Sequence, residues 1–246
     1  MKALTLIVFV VACGGGNGGD ANTDGNTSNA DAKEFHDAPP NVPAMIALSG
    51  ETSERGLSGT SMVATVTLGA YKIGDETTPV AMATSDAQGK YTLDVPTNGL
   101  PFDGFVKASK SGYVDIYLYP ASAWIADFTD GGINMLTPSN KDLLNNFASG
   151  GQTAGKGMVG LAVLDASGNP VAGATIAATP AGGTVRYTGS NGLPSSSATM
   201  TSADGVAFVF NAPENVTIAA VKSGLSFHAH AVKARADKFT TTSVAP

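Results

Sequence analysis

Apolar and polar residues alternate with a period of two along this chain, in short runs closed by glycine turns, and the pattern is written twice. Met62, Ala64, Val66 and Leu68 alternate with Val63, Thr65 and Thr67. Tyr91, Leu93 and Val95 alternate with Lys90, Thr92 and Asp94, and Val114, Ile116 and Leu118 with Tyr113, Asp115 and Tyr117. Successive side chains of a strand point to opposite faces, so this period predicts half-buried strands of antiparallel sheet. Turn chemistry separates them at Asp86–Gly89, Asn98-Gly99, Asp103-Gly104 and Ser111-Gly112.

The same grammar restarts near Gly155. Val159, Leu161 and Val163 predict a strand, Asp165 to Pro170 a turn, and Ala174, Ile176 and Ala178 a returning strand. Further strands are predicted at Val206–Phe210, Val216–Ala220, Phe227–Val232 and Phe239–Val244. The halves also share wording: "TSDAQGKYTLDVP" at Thr84 to Pro96 parallels "TSADGVAFVFNAP" at Thr201 to Pro213, and "KASKSGY" at Lys107 parallels "AAVKSGL" at Ala219. Repetition at this length indicates a duplicated domain. The expected organisation is an all-β chain of two sandwiches, 43–135 and 155–246, joined by a helical connector at 136–154. In that connector Thr137 caps a helix, Pro138 occupies its first turn, Leu143, Leu144 and Phe147 form an apolar stripe, and Gly150 ends it. Composition agrees: charged residues at 14% and 30 glycines suit short strands and turns. A net charge of −6 argues against a nucleic-acid partner, which calls for a basic surface.

The N-terminal region follows other rules. Met1-Lys2 gives a positive start, and Ala3 to Val11 is apolar apart from Thr5. That run is far shorter than the roughly 20 residues of a membrane-spanning helix and has the layout of a secretory leader, 1–12. Val10-Val11-Ala12-Cys13 resembles the lipobox of bacterial lipoproteins. The resemblance implies cleavage before Cys13, acylation of that residue, attachment to a membrane and a place in the cell envelope; Gly14 in the next position implies the outer membrane. Several acyl chains hold a protein at a bilayer durably where one does not. Cys13 is the only cysteine, so no disulfide is available to the exported body. Residues 13–42 then read as a disordered linker, with a net charge of −4 from Gly14 to Asn41. Asp20, Asn22, Asp24, Gly25 and Asp31 fall at the spacing of a calcium-binding loop, but Thr27 stands where an aliphatic residue packs and no helix is predicted on either side. A solvated linker is the expectation there.

A second resemblance lies in "GLAVLDASGNPVAGATI", Gly160 to Ile176, in the later "TSADGVAFVFNAP" and in the "VKSG" that follows. These are similar to the carboxypeptidase regulatory-like domains of the transthyretin-like sandwich group, well over the second copy and more loosely from Ala47 to Pro120. The first copy lacks the "GNPVAGA" signature. The resemblance implies a Greek-key sandwich used as an accessory, interaction or structural module, without catalysis.

Two constellations are candidates for chemistry. His228 and His230 have the spacing that turns two imidazoles to one side of a strand. Intradiol ring-cleaving dioxygenases, whose sandwich architecture is similar, hold iron with two tyrosines and such a histidine pair; by that resemblance Tyr187 is a candidate third ligand. The second tyrosine has no counterpart after Pro213, and Leu225-Ser226-Phe227 stands where the arginine is expected. The expectation is therefore no enzyme and no cofactor, with a divalent metal or iron on the histidine pair as the alternative. Tyr113, Tyr117, Tyr119 and Trp124 cluster on one strand and its exit, a candidate face for polysaccharide or an envelope protein. The competing reading is that the rings pack inside the molecule. The leading functional expectation is a non-enzymatic binding or structural module of the cell envelope.

Overall fold

The computed structural model describes residues 41–56, 59–149 and 151–246. The leader at 1–12, Cys13, the calcium-loop spacing and almost all of the linker lie outside the described residues. The first half supplies β1 (Met45–Gly56), β2 (Gly59–Met62), β3 (Thr67–Lys72), β4 (Ala81–Thr84), β5 (Lys90–Pro96), β6 (Gly104–Ser109), β7 (Ile116–Leu118) and β8 (Ile133–Met135). Helix α1 (Pro138–Phe147) follows. The second half supplies β9 (Gly157–Val163), β10 (Thr175–Thr179), β11 (Thr184–Thr188), β12 (Pro194–Ser195), β13 (Val206–Ala212), β14 (Asn215–Val221), β15 (His230–Lys233) and β16 (Phe239–Val244). The all-β class expected from the period-two pattern is the class observed.

The strands form three layers. The middle one is a nine-stranded sheet in the order β12-β11-β13-β9-β16-β7-β6-β3-β4. On one side of its first-half portion lies the sheet β2-β1-β5 with β8, and on the opposite side of its second-half portion lies β10-β14-β15. Leu48 and Leu93 of the upper sheet pack with Leu68, Val106 and Ile116 of the middle one, and this core runs on to Leu144 and Ala148 over Phe208 and Phe210. The opposite face joins Val159, Leu161 and Val209 to Val216, Ile218 and Val232. A strand covered on both faces needs apolar residues at every position. That is why β9 is buried along its whole length and β13 at all but Asn211, where the alternating pattern had predicted one wet face.

The connector differs from expectation in its role. Thr137 Oγ1 accepts from the Asn140 N–H and Pro138 opens the helix, as predicted, but α1 buries only Leu144, and Phe147 stays 39% exposed. Ser149 takes the left-handed conformation after the helix (φ 65°), and Gly150 lies outside the described residues. The two sandwiches are not joined by this helix alone. β16 pairs in parallel with β9 of its own half and with β7 of the other, so one sheet runs through both halves. The alternation in each half was legible, but a pairing between halves leaves no period in either.

One turn is built by the same four hydrogen bonds in both halves. In the first half the Thr65 N–H donates to Ser85 C=O, Ser85 N–H to Val66 C=O, Val66 N–H to Ser85 Oγ, and Ser85 Oγ to Val63 C=O. In the second, Gly173 N–H donates to Thr201 C=O, Thr201 N–H to Ala174 C=O, Ala174 N–H to Thr201 Oγ1, and Thr201 Oγ1 to Val171 C=O. Val63-Ala64-Thr65-Val66 therefore takes the place of Val171-Ala172-Gly173-Ala174, although the first half lacks the "GNPVAGA" sequence. Thr65 adopts φ 56° where Gly173 adopts 76°. This turn also ends the single strand predicted through Met62–Leu68, which is split between β2 and β3.

Candidate functional site

The predicted aromatic face does not form. Trp124 stacks on Phe102 (5.9 Å) in the core between the upper and middle sheets. Tyr117 and Tyr119 belong to the core on the opposite side of the middle sheet. Tyr113, half-buried, donates its hydroxyl to Glu54 at 2.9 Å. Trp124, Tyr117 and Tyr119 are 5%, 8% and 3% exposed, so no common surface presents these rings to a sugar. Tyr117 and Tyr119 share one face of β7 and its exit, whereas Tyr113 lies before the strand and Trp124 beyond Pro120, and both of those join the other core.

Tyr117 and Tyr119 instead build the seam between the halves. Tyr71 stacks on Phe105 (5.4 Å) and Phe105 on Tyr119 (5.1 Å) across β3, β6 and the exit of β7. Arg235, arriving from the second half just after β15, lays its guanidinium over this shelf, 3.8 Å from the Tyr117 ring centre and 4.7 Å from that of Phe105. Its Nη2 donates to Tyr119 Oη at 3.1 Å and its Nε to Glu76 at 3.0 Å. Lys233 Nζ joins the same carboxylate at 3.0 Å, and Lys238 pairs with Asp115 at 3.1 Å. Partial burial pushes the Glu76 carboxyl up, but hydrogen bonds and charge from Arg235 and Lys233 outweigh it and hold the group below the usual glutamate value. Sequence reading missed Glu76, Tyr71, Phe105 and Arg235. Phe105 carried a signal in the alternation of β6; Glu76 and Arg235 lie 159 residues apart and carried none.

The iron set is also not assembled. Tyr187 is 7% exposed, and its hydroxyl accepts from the Ile176 N–H of β10 at 2.9 Å. His230 opens β15, at the other edge of that small sheet. Two strand spacings, about 10 Å, separate the edges, far beyond metal–ligand bonds of about 2 Å. His228 is exposed ahead of β15, its N–H donating to Ala245 C=O. His230 turns inward, edge-on to Tyr119 at 6.5 Å, with Nε2 buried and unpaired among the described residues. Burial pushes its imidazole pKa down, and the charge of Asp103 opposes this in part. Among the described residues no group of three or more His, Cys, Asp or Glu is placed to hold one metal ion. Beside the seam lie two clefts, of about 280 Å³ and 520 Å³, which share Ile73, Tyr119 and Ala231 in their walls.

Fold and seam thus define an all-β sandwich protein whose two halves share one sheet. No protein-family profile matches the chain, and no curated protein does. Among solved structures it is similar to the shaft pilin SpaA from Lactobacillus rhamnosus GG, at 13% identity and TM-score 0.25, covering 82% of this chain and 97% of that one. The minor pilin GBS52 of Streptococcus agalactiae gives 13% identity, 81% and 94% coverage and TM-score 0.27. The major pilin subunit of Bacillus cereus gives 11% identity, 81% and 98% coverage and TM-score 0.26. At these TM-scores the fold assignment rests on the strands of this chain itself.

Proposed function

We propose that this chain is a non-enzymatic lipoprotein of the bacterial cell envelope, a structural or binding module held on the outer membrane by acyl chains at Cys13. The observation that carries this reading is the fate of its chemical side chains. Tyr187 is engaged in the core of the second half, and Tyr117, Tyr119 and Arg235 in the seam, where they brace the two halves into one body. Such a body is suited to holding position and bearing contact, and the acidic linker ahead of it to standing it off a lipid surface. Support for a lipoprotein comes from Val10-Val11-Ala12-Cys13 and the apolar leader before it. Support for carboxypeptidase regulatory-like domains comes from the turn at Asp165, whose Oδ1 accepts from Ser167 and Asn169 N–H while Gly168 takes φ 79°. Asp86 repeats it with Gln88, Lys90 and Gly89.

The experiment is labelling in the native host with a clickable palmitate analogue, followed by membrane fractionation. Label on the parent, loss of label in Cys13→Ser and release of that variant from the outer-membrane fraction are the expected results. An unlabelled parent with its leader still attached overturns the anchor. Catechol cleavage by the purified chain with iron bound overturns the non-enzymatic part.

A further inference from the structure

We propose that the molecule associates head to tail with further copies of itself, through a second use of the joint that already fuses its halves. That joint brings together two unlike edges, β7 of the first half and β16 of the second, paired in parallel. Duplication gives each edge a twin. β15 is the twin of β7, because His230 faces Ile218 as Leu118 faces Val106. The run Asp127–Thr129 ahead of β8 is the twin of the paired part of β16. Phe128 bridges Leu48 in parallel as Thr240 pairs with Val159, and Leu48 and Val159 lie opposite Leu93 and Val209 at matching positions. Among the described residues β15 pairs with β14 alone and Asp127–Thr129 bridges β1 alone, through Phe128 and Leu48; the bridge of Val114 to Leu136 lies beyond β8, away from that run.

The edge atoms are of the right kind. In the seam, Tyr119 N–H donates to Thr241 C=O and Phe239 N–H to Asp115 C=O. The twin of Tyr119 is Ala231 and the twin of Thr241 is Thr129. Ala234 N–H donates to Glu214 C=O; the two-residue parity of an antiparallel ladder then turns Val232 and His230 toward β14 and Ala231 away from it. Ala229 and Ala231 are exposed. Ala231 also stands in the walls of both clefts. An edge with free N–H and C=O groups is a template for pairing. The occupant is a second copy because the same chain presents the complementary edge, at Thr129. Since the edges are unlike, the contact is head to tail and passes from copy to copy, into a ring if the rotation closes and an open row if it does not.

Sedimentation velocity on the full chain tests this, with Cys13→Ser removing acylation as a cause of association. The sedimentation coefficient is expected to rise between micromolar and millimolar concentration, and the amides of Ala229–Ala231 to exchange more slowly over the same range. Ala231→Pro and Thr129→Pro each remove one edge; either alone is expected to stay monomeric, and an equimolar mixture of the two to give a species of two chains and nothing larger. Melting temperatures near that of the parent check that both variants fold. If either does not, the concentration-dependent exchange of the parent alone decides. A parent that stays monomeric with unchanged exchange, as when a foreign strand is the true occupant, overturns the proposal; so does a folded single variant that still associates. The anchor at Cys13 is untouched by either result.

Discussion

At the scale of single residues, the turn that both halves share makes each a control for the other. Thr65 and Gly173 hold the same left-handed turn, which costs a residue with a Cβ roughly 1–2 kcal/mol. A Cβ at Gly173 would meet only Met200 Sδ, at 3.9 Å, so the cost there is one of backbone conformation. Gly173→Thr is expected to lower unfolding free energy by about 1–2 kcal/mol in denaturant titrations. Thr65→Gly is expected to change it by less than about 1 kcal/mol: relief of strain is offset by glycine's larger chain entropy and by loss of the Lys110 bond to Thr65 Oγ1. His230 offers a second comparison, since its twin is Leu118. An imidazole held neutral with Nε2 unpaired opposes folding more strongly below pH 6.5, where the unfolded chain takes up a proton that the folded chain refuses. His230→Leu is expected to raise stability by about 1 kcal/mol at neutral pH and to flatten its decline between pH 6.5 and 5. The first-half signature was illegible because threonine at position 65 keeps the period-two pattern unbroken while taking a conformation typical of glycine.

Elements were legible in proportion to how much of their burial comes from their own half. β5 and β14 alternate cleanly, because each has one wet face, and both were predicted. β9 and β13 kept their places but not their expected exposure, since Leu144 and Ala148 of the connector and Leu193 cover their second face. The aromatic run from Tyr113 to Trp124 was read as one face; β7 spans only Ile116–Leu118, so Tyr113 before it and Trp124 beyond Pro120 join one core and Tyr117 and Tyr119 the other. What binds Tyr117 and Tyr119 is a segment after β15 that nothing in their neighbourhood announces. Arg235→Met keeps the apolar contact and removes the charge, and is expected to cost about 1–2 kcal/mol, the exposure of Glu76 keeping its share small. A carboxylate held below its usual value of 4.5 stabilises the fold above that pH and ceases to as pH falls through the folded value. The difference in unfolding free energy between parent and Arg235→Met is therefore expected to shrink as pH is lowered from 6 to 3.

At the scale of the whole molecule, two sandwiches that share one sheet and a stacked guanidinium are expected to unfold together. Scanning calorimetry of the full chain should give one transition, with calorimetric and van't Hoff enthalpies in agreement. Two resolved transitions would show the seam to be weaker than its hydrogen bonds and ring contacts indicate. The position of β16 carries a consequence for biogenesis. It follows every other strand in chain order, yet lies in the interior of the widest sheet, between β7 and β9. A chain delivered amino-end first exposes both of those flanks until the segment Phe239–Val244 arrives. For that interval the unsatisfied backbone of both flanks must be kept away from its neighbours, and a product cut short before Phe239 is left with the vulnerability that the finished molecule has sealed.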